Sequence, residues 1–303
     1  MSSTPRRHRS RLRFFLLGLL CFSAAALMVA AVLLHWDQQA GLFLQERSVD
    51  AEQRAASVWL PDYELVLDTT LLGLEEDETS GLTWSAATGT LFTVTGQNPQ
   101  LIEFSTGGVV LRRLRLTGFS DPEAVEALDD GRLGIVDERR RLVAVFRLAP
   151  GVESLDLDDL TAYDLGFADA GNKGFEGLAW NPRTGRMLLA KERDPYGLFE
   201  LPLPSDGESA ALEPLPYPPR LIRDISSVTI DPRTGHTLVL SDESRLLVEL
   251  DLVGQPRSFI TLFGGFHGLI QGIDQAEGVA MDEQGNIYVV GEPNRFYVFS
   301  RKR

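Results

Sequence analysis

One pattern is written five times after residue 62, and it constrains the fold of this chain more than any other feature. The five stretches begin TSGLTW, PEAVEA, FEGLAW, ISSVTI and AEGVAM. Aligned on Ser80, Glu123, Glu176, Ser226 and Glu277, they recur every 43 to 53 residues. Each unit opens with a short apolar run and turns at a glycine (Gly89, Gly131, Gly185, Gly235 or Gly285). It continues through a run rich in Val, Ile and Leu, a polar loop and a third run. Alternation and β-branching predict strands, and the glycine turns predict hairpins. Repeats of this length with no helical spacing between them predict blades of a β-propeller.

Fourth strands follow the first four units as VVLRRLRL, LTAYDLGF, LEPLPY and RSFITLF. The fifth unit closes at FYVFSRKR without one, and YELVLDT, residues 63–69, has strand alternation ahead of the first unit. Pairing the two removes the open edges that a sheet protein must protect. The expected fold is all-β: a five-bladed propeller over 62–303, its last blade closed by the N-terminal strand, preceded by one transmembrane helix.

That helix is read from Phe14 to Leu34, 21 residues without a charge. At helical rise this is roughly 30 Å, the thickness of a bilayer's hydrocarbon core. Residues 1–13 carry five arginines and no acid, and so predict a cytoplasmic tail. The propeller is then expected outside the inner (cytoplasmic) membrane, in the periplasm, with 35–61 as a linker. A cleaved signal peptide is the alternative. Against it, the run is longer than an ordinary signal core, and His35-Trp36-Asp37 lacks a small-residue cleavage site. The single cysteine, Cys21, lies within this run, so packing rather than disulfides must stabilise the domain. The net charge is −14 despite the basic tail, which argues against nucleic acid and suits cations or basic partners.

In a propeller, the residues before each first strand and the loop between strands two and three reach the same rim of the channel. The first set supplies Glu123, Glu176 and Glu277, with Asp121 beside them; the second supplies Glu138, Glu192, Glu292 and Asp242. Like charges at one mouth repel unless a cation neutralises them. Lys173, Lys191, Arg139, Arg193 and Arg295 occur in the same loops and are expected to do part of this. With Asn172 and Asn294, the remaining carboxylates form an all-oxygen donor set, which favours Ca²⁺ over Mg²⁺. Zinc is disfavoured, because the propeller segment has no thiol and only two histidines. Ser80 and Ser226 fill the slot in the other two blades, so an ion there is expected off-centre. His267 is expected on the acidic face, where it is a candidate general base.

The phrases SDPEAV, DERRR, NKGFEGLAW, AKE, SDESRLL and EGVAMDEQGNIYVVGEPNRFYVF, in this order behind an apolar segment, resemble the SdiA-regulated (YjiK-like) family over about residues 62–301. The resemblance implies a five-bladed propeller, distantly similar to NHL-repeat proteins, with calcium at a shared site. One departure is Pro122-Glu123-Ala124, where the family commonly has Pro-Glu-Gly. The expected function is a membrane-anchored calcium-binding module for a protein or small-molecule ligand. The alternative is a calcium-dependent lactonase or esterase, in which the ion polarises a carbonyl and an acid or His267 activates water.

Overall fold

The computed structural model describes residues 6–33, 36–166, 174–193, 196–203, 211–216 and 221–302. The chain divides into two compact units, Met1–Gly41 and Leu42–Arg303. Helix α1 (Arg6–Leu33) covers most of the apolar run, and α2 (Trp36–Glu46) and α3 (Ala51–Ala55) follow. Among the described residues, no helix is long and apolar enough to cross a membrane.

The second unit is a five-bladed propeller. Strand β1 (Tyr63–Thr70) precedes the first blade, which consists of β2 (Thr79–Ser85), β3 (Thr90–Thr95), β4 (Gln100–Phe104) and β5 (Val110–Thr117). The second blade holds β6 (Pro122–Ala127), β7 (Arg132–Asp137) and β8 (Leu142–Arg147). Short β9 (Ser154–Asp156) then crosses back to pair in parallel with β5, and β10 (Thr161–Asp164) completes the second blade. The third blade is β11 (Phe175–Asn181), β12 (Arg186–Lys191), β13 (Gly197–Pro202) and β14 (Glu213–Pro214). The fourth is β15 (Ser227–Ile230), β16 (Thr237–Ser241), β17 (Leu246–Leu250) and β18 (Pro256–Thr261). The fifth is β19 (Ala276–Met281), β20 (Ile287–Gly291) and β21 (Arg295–Arg301), and β1 is its fourth strand. The predicted closure is present: β1 runs antiparallel to β21 from Tyr63↔Arg301 to Thr70↔Arg295.

The core explains the long apolar runs. Five clusters of buried side chains each join one blade to the next. Middle strands are covered on both faces, so successive residues serve opposite neighbours. Val289 packs towards the fourth blade and Val290 towards the first. A run of consecutive apolar residues is the expected signature of such a strand.

Residues ahead of β1 are stitched onto the fourth blade. Glu249 of β17 is fully buried and accepts the backbone N–H groups of Val58 at 2.7 Å and Trp59 at 3.0 Å. The Ser258 hydroxyl also donates to it, and His236 Nδ1 lies 2.6 Å away. Removing this acceptor leaves several buried donors unpaired. Glu249→Ala is therefore expected to cost about 3 kcal/mol or more of stability, read as a lowered urea midpoint with an unchanged slope. A change below about 1 kcal/mol would show that water replaces the carboxylate.

Candidate functional site

The channel's acidic mouth is built from a backbone irregularity. In three blades the residue in the repeated slot sits at a β-bulge of the first strand. Pairing skips from Pro122 to Ala124, from Phe175 to Gly177 and from Ala276 to Gly278, leaving Glu123, Glu176 and Glu277 without ladder partners. A bulge re-aims a side chain that strict alternation would send elsewhere. The residue after it is small for a packing reason. A Cβ on Gly177 would lie 3.1 Å from the Val228 backbone nitrogen, and one on Gly278 2.7 Å from the Gly81 carbonyl carbon. In the second blade Ala124 takes this place and is buried between the second and third blades, so the departure in that motif is absorbed by packing.

The serines of the slot have another role. Ser80 Oγ donates to the Glu123 carbonyl at 2.8 Å, and Ser226 Oγ to the Ala276 carbonyl at 2.6 Å. Each fastens its blade to the next. Sequence spacing placed them in the slot but did not indicate this bond.

The glutamates lie in one another's fields. Burial first, then the charges of Asp121, Glu138 and Glu292, push the Glu123 carboxyl up to about 8. Glu176 is raised well above the usual carboxylate range by burial, then by Glu192, Glu277 and Glu123, and it shares a hydrogen bond with Glu192. Glu277 is raised likewise by burial, then by Asp242, Glu292, Glu123 and Asp224. Glu138 and Glu292 are raised mainly by burial, with smaller contributions from neighbouring acids. The structure thus brings together all six glutamates read from the repeat, with Asp121 and Asp242. Asp224, raised by burial and held by Ser241, is a further member.

Among the described residues, one group of acids is close enough to share an ion, and all of it comes from the second blade. One carboxylate oxygen from each of Asp121, Glu123 and Glu138 lies within 4.8 Å of the others. Oxygens that share one calcium ion at ~2.4 Å stand no farther apart than this. The loops are preset from below. Asp137 accepts the Ser120 N–H at 2.6 Å and the Arg140 N–H at 2.9 Å, and Glu138 accepts the Gly174 N–H at 2.7 Å. Asp242 similarly receives the Ala276 N–H at 3.2 Å, tying the fourth blade to the fifth.

Cations reach the rim only in part. Arg139 pairs with Asp121 at 2.8 Å, while Arg193 bridges Glu192 and Glu243, both at 2.7 Å. Lys191 is buried and donates to the Arg193 carbonyl. Arg295 differs from expectation: it pairs with Asp68 on β1 and leaves the mouth, because its strand borders the closing strand. Asn294 turns its amide to the Leu71 carbonyl, 2.9 Å away. Asn172 and Lys173 lie outside the described residues.

His267 is not on the acidic face. Its loop lies along the outermost strand of the fifth blade, where Nδ1 is 3.1 Å from the Tyr63 carbonyl and its own carbonyl accepts the Leu65 N–H. Burial lowers its pKa, and its charged neighbours are Lys302 and Glu64 rather than the channel acids. Local sequence carries no signal for this contact, which joins residues 204 positions apart.

The family model described as SdiA-regulated matches residues 55–300. The chain belongs to the SdiA-regulated family. Solved structures resemble the chain at low identity. A protein of unknown function from Bacteroides thetaiotaomicron VPI-5482 is 10% identical with a TM-score of 0.50, over 77% of this chain and 72% of its own. Virginiamycin B lyase from Staphylococcus aureus is 10% identical with a TM-score of 0.48, over 79% of this chain and all of its own. In this SdiA-regulated protein, the site must be read from its own residues.

Proposed function

We propose that this SdiA-regulated protein is a membrane-anchored, extracytoplasmic propeller that holds Ca²⁺ at its acidic mouth and presents that face to a ligand or protein partner. The observation that carries the reading is the convergence of Glu123, Glu176 and Glu277 from three blades. Burial and then the neighbouring acids raise all three carboxyls above the usual range, so a divalent cation there would compete with protons. The donors fit calcium: they are all oxygen, and one trio, all from the second blade, already spans the distance that a shared ion requires. Asp121, Glu123 and Glu138 would hold the ion. The Glu176–Glu192 pair, Glu277 and Glu292 would complete the charge or contact a ligand. When bound, the ion supplies a fixed positive centre that organises the rim and polarises an oxygen presented to it.

The anchor rests on the uncharged run behind five arginines and on the exposure of Phe14, Phe15, Leu20 and Phe22 along α1. The hydrolase alternative loses one of its two candidate bases, since His267 lies against β1, and would have to rely on a channel acid. A binding role is therefore preferred.

Calorimetric titration of CaCl₂ into the EDTA-stripped full chain in detergent tests the reading. Saturable uptake accompanied by proton release is expected. No heat together with no change in melting temperature would overturn it.

A further inference from the structure

The end of the propeller opposite the acidic mouth holds a cavity of about 370 Å³. It is lined where each first strand ends, by Thr83 and Trp84 of the first blade, Glu126 of the second, Trp180 of the third, Ile230 of the fourth and Met281 of the fifth. All five blades contribute, but most of the wall belongs to the first two, from the turn after β2 out to Arg112 of β5. Its volume lies in the range of small-molecule sites. Apolar and aromatic side chains form most of the wall, with one buried carboxyl among them.

That carboxyl is unusual in its partners. Glu126 accepts the Thr83 hydroxyl at 2.8 Å and the Trp180 backbone N–H at 2.9 Å, both neutral donors. The two arginines of the wall are engaged elsewhere, Arg112 with Glu103 at 2.8 Å and Arg132 with Asp130 at 2.7 Å. The other charged groups lining the cavity, Asp129 and Glu283, are acids. One indole is also held in place: Trp84 donates to Glu283 at 2.9 Å and stacks on Tyr288 with its ring 6.2 Å away. A fixed indole face beside acids without a free cation is suited to a positively charged guest.

We propose that this far cavity is a binding site for a small organic cation, an amine with an aromatic or aliphatic body, whose ammonium group pairs with Glu126 between Trp84 and Trp180. The site does not depend on the calcium reading of the opposite mouth. Burial pushes the empty-site Glu126 carboxyl up to about 8, against hydrogen bonds from Trp180 and Thr83. At pH 7 it is therefore mostly protonated, and an arriving cation favours the ionised form. Binding must then release a proton to solvent.

Three probes of similar shape separate charge from bulk: 2-phenylethylammonium, 2-phenylethanol and 3-phenylpropanoate. Each is titrated calorimetrically into the full chain in detergent at pH 7, in two buffers of different ionisation enthalpy, with EDTA and with saturating calcium. The ammonium is expected to bind at least about tenfold more tightly than the other two, to release a proton, and to do so equally with and without calcium. Glu126→Gln should reduce it to the level of the alcohol. Ile230→Arg, which adds a positive charge to the rim, should weaken it about tenfold and serves as the arbiter where Glu126→Gln does not fold. Equal affinity for the three probes, binding without proton release, displacement by calcium, or a preference that survives either substitution would overturn the proposal.

Discussion

In EDTA the protein is expected to melt at progressively lower temperature as the pH is raised from about 5 to 8.5, and calcium is expected to restore most of the loss. A carboxyl whose folded pKa exceeds its unfolded one keeps a proton that the unfolded chain has already released. Stability therefore falls as pH rises between the two values. For Glu123 that window runs from 4.5 to about 8. Glu176 and Glu277 act in the same direction, because both are raised well above 4.5. Each such group costs at most ~1.4 kcal/mol per pH unit, so together they amount to several kcal/mol, or on the order of 10 °C for a domain of this size. Glu126, at about 8, and Glu46, at about 7 on α2, add to the slope but lie outside the proposed ion site. Calcium should accordingly recover most of the loss and leave a residue. Scanning calorimetry across pH, with and without calcium, gives the answer. A melting temperature that is flat or rises over this range would contradict the assignment of buried, mutually repelling acids.

Glu176→Gln is expected to act in opposite directions in the two states of the site. Without calcium it removes a carboxyl that burial, and then Glu192, Glu277 and Glu123, hold well above the usual range. The apo protein should gain on the order of 1–2 kcal/mol at pH 8. With calcium it removes a negative charge from the mouth, and affinity should fall ~100-fold, the upper end for groups that support a metal. Chemical denaturation and calcium titration of the same variant measure both. A carboxylate that merely staples blades would destabilise both states when replaced, so loss of apo stability would sink the ligand role. Glu277→Gln is expected to follow the same pattern, because Asp242, Glu292 and Glu123 raise it in the same way.

The repeat made much of this legible in advance. A glycine turn and a β-branched strand in each unit specify local hairpins, and five hairpins with apolar faces on both sides have few ways to bury them other than in a ring. The glutamates were legible for the same reason: a residue in the same slot of each blade must reach the same rim. Two details near the slot were less accessible. The bulge that turns Glu123, Glu176 and Glu277 into the channel has only a faint signature, the small residue after each glutamate. The bond from Ser80 to the Glu123 carbonyl connects neighbouring blades and appears in neither segment alone.

The sequence by itself determined the blade count, the closure of β21 by β1 and the set of acids at one mouth, because these follow from local pattern repeated at a fixed period. Only the tertiary structure decided which loop residues stay at that mouth. Arg295 turns to Asp68, Asn294 to Leu71 and His267 to Tyr63, all partners more than 200 positions away that closure of the ring brings alongside. The cavity around Glu126 belongs to the same class. Its wall combines the ends of all five first strands with the hairpin turns of the first two blades, and no single repeat contains enough of it to be recognised. Periodicity specifies which residues share a face; the direction of each side chain on that face depends on neighbours that are distant in the chain.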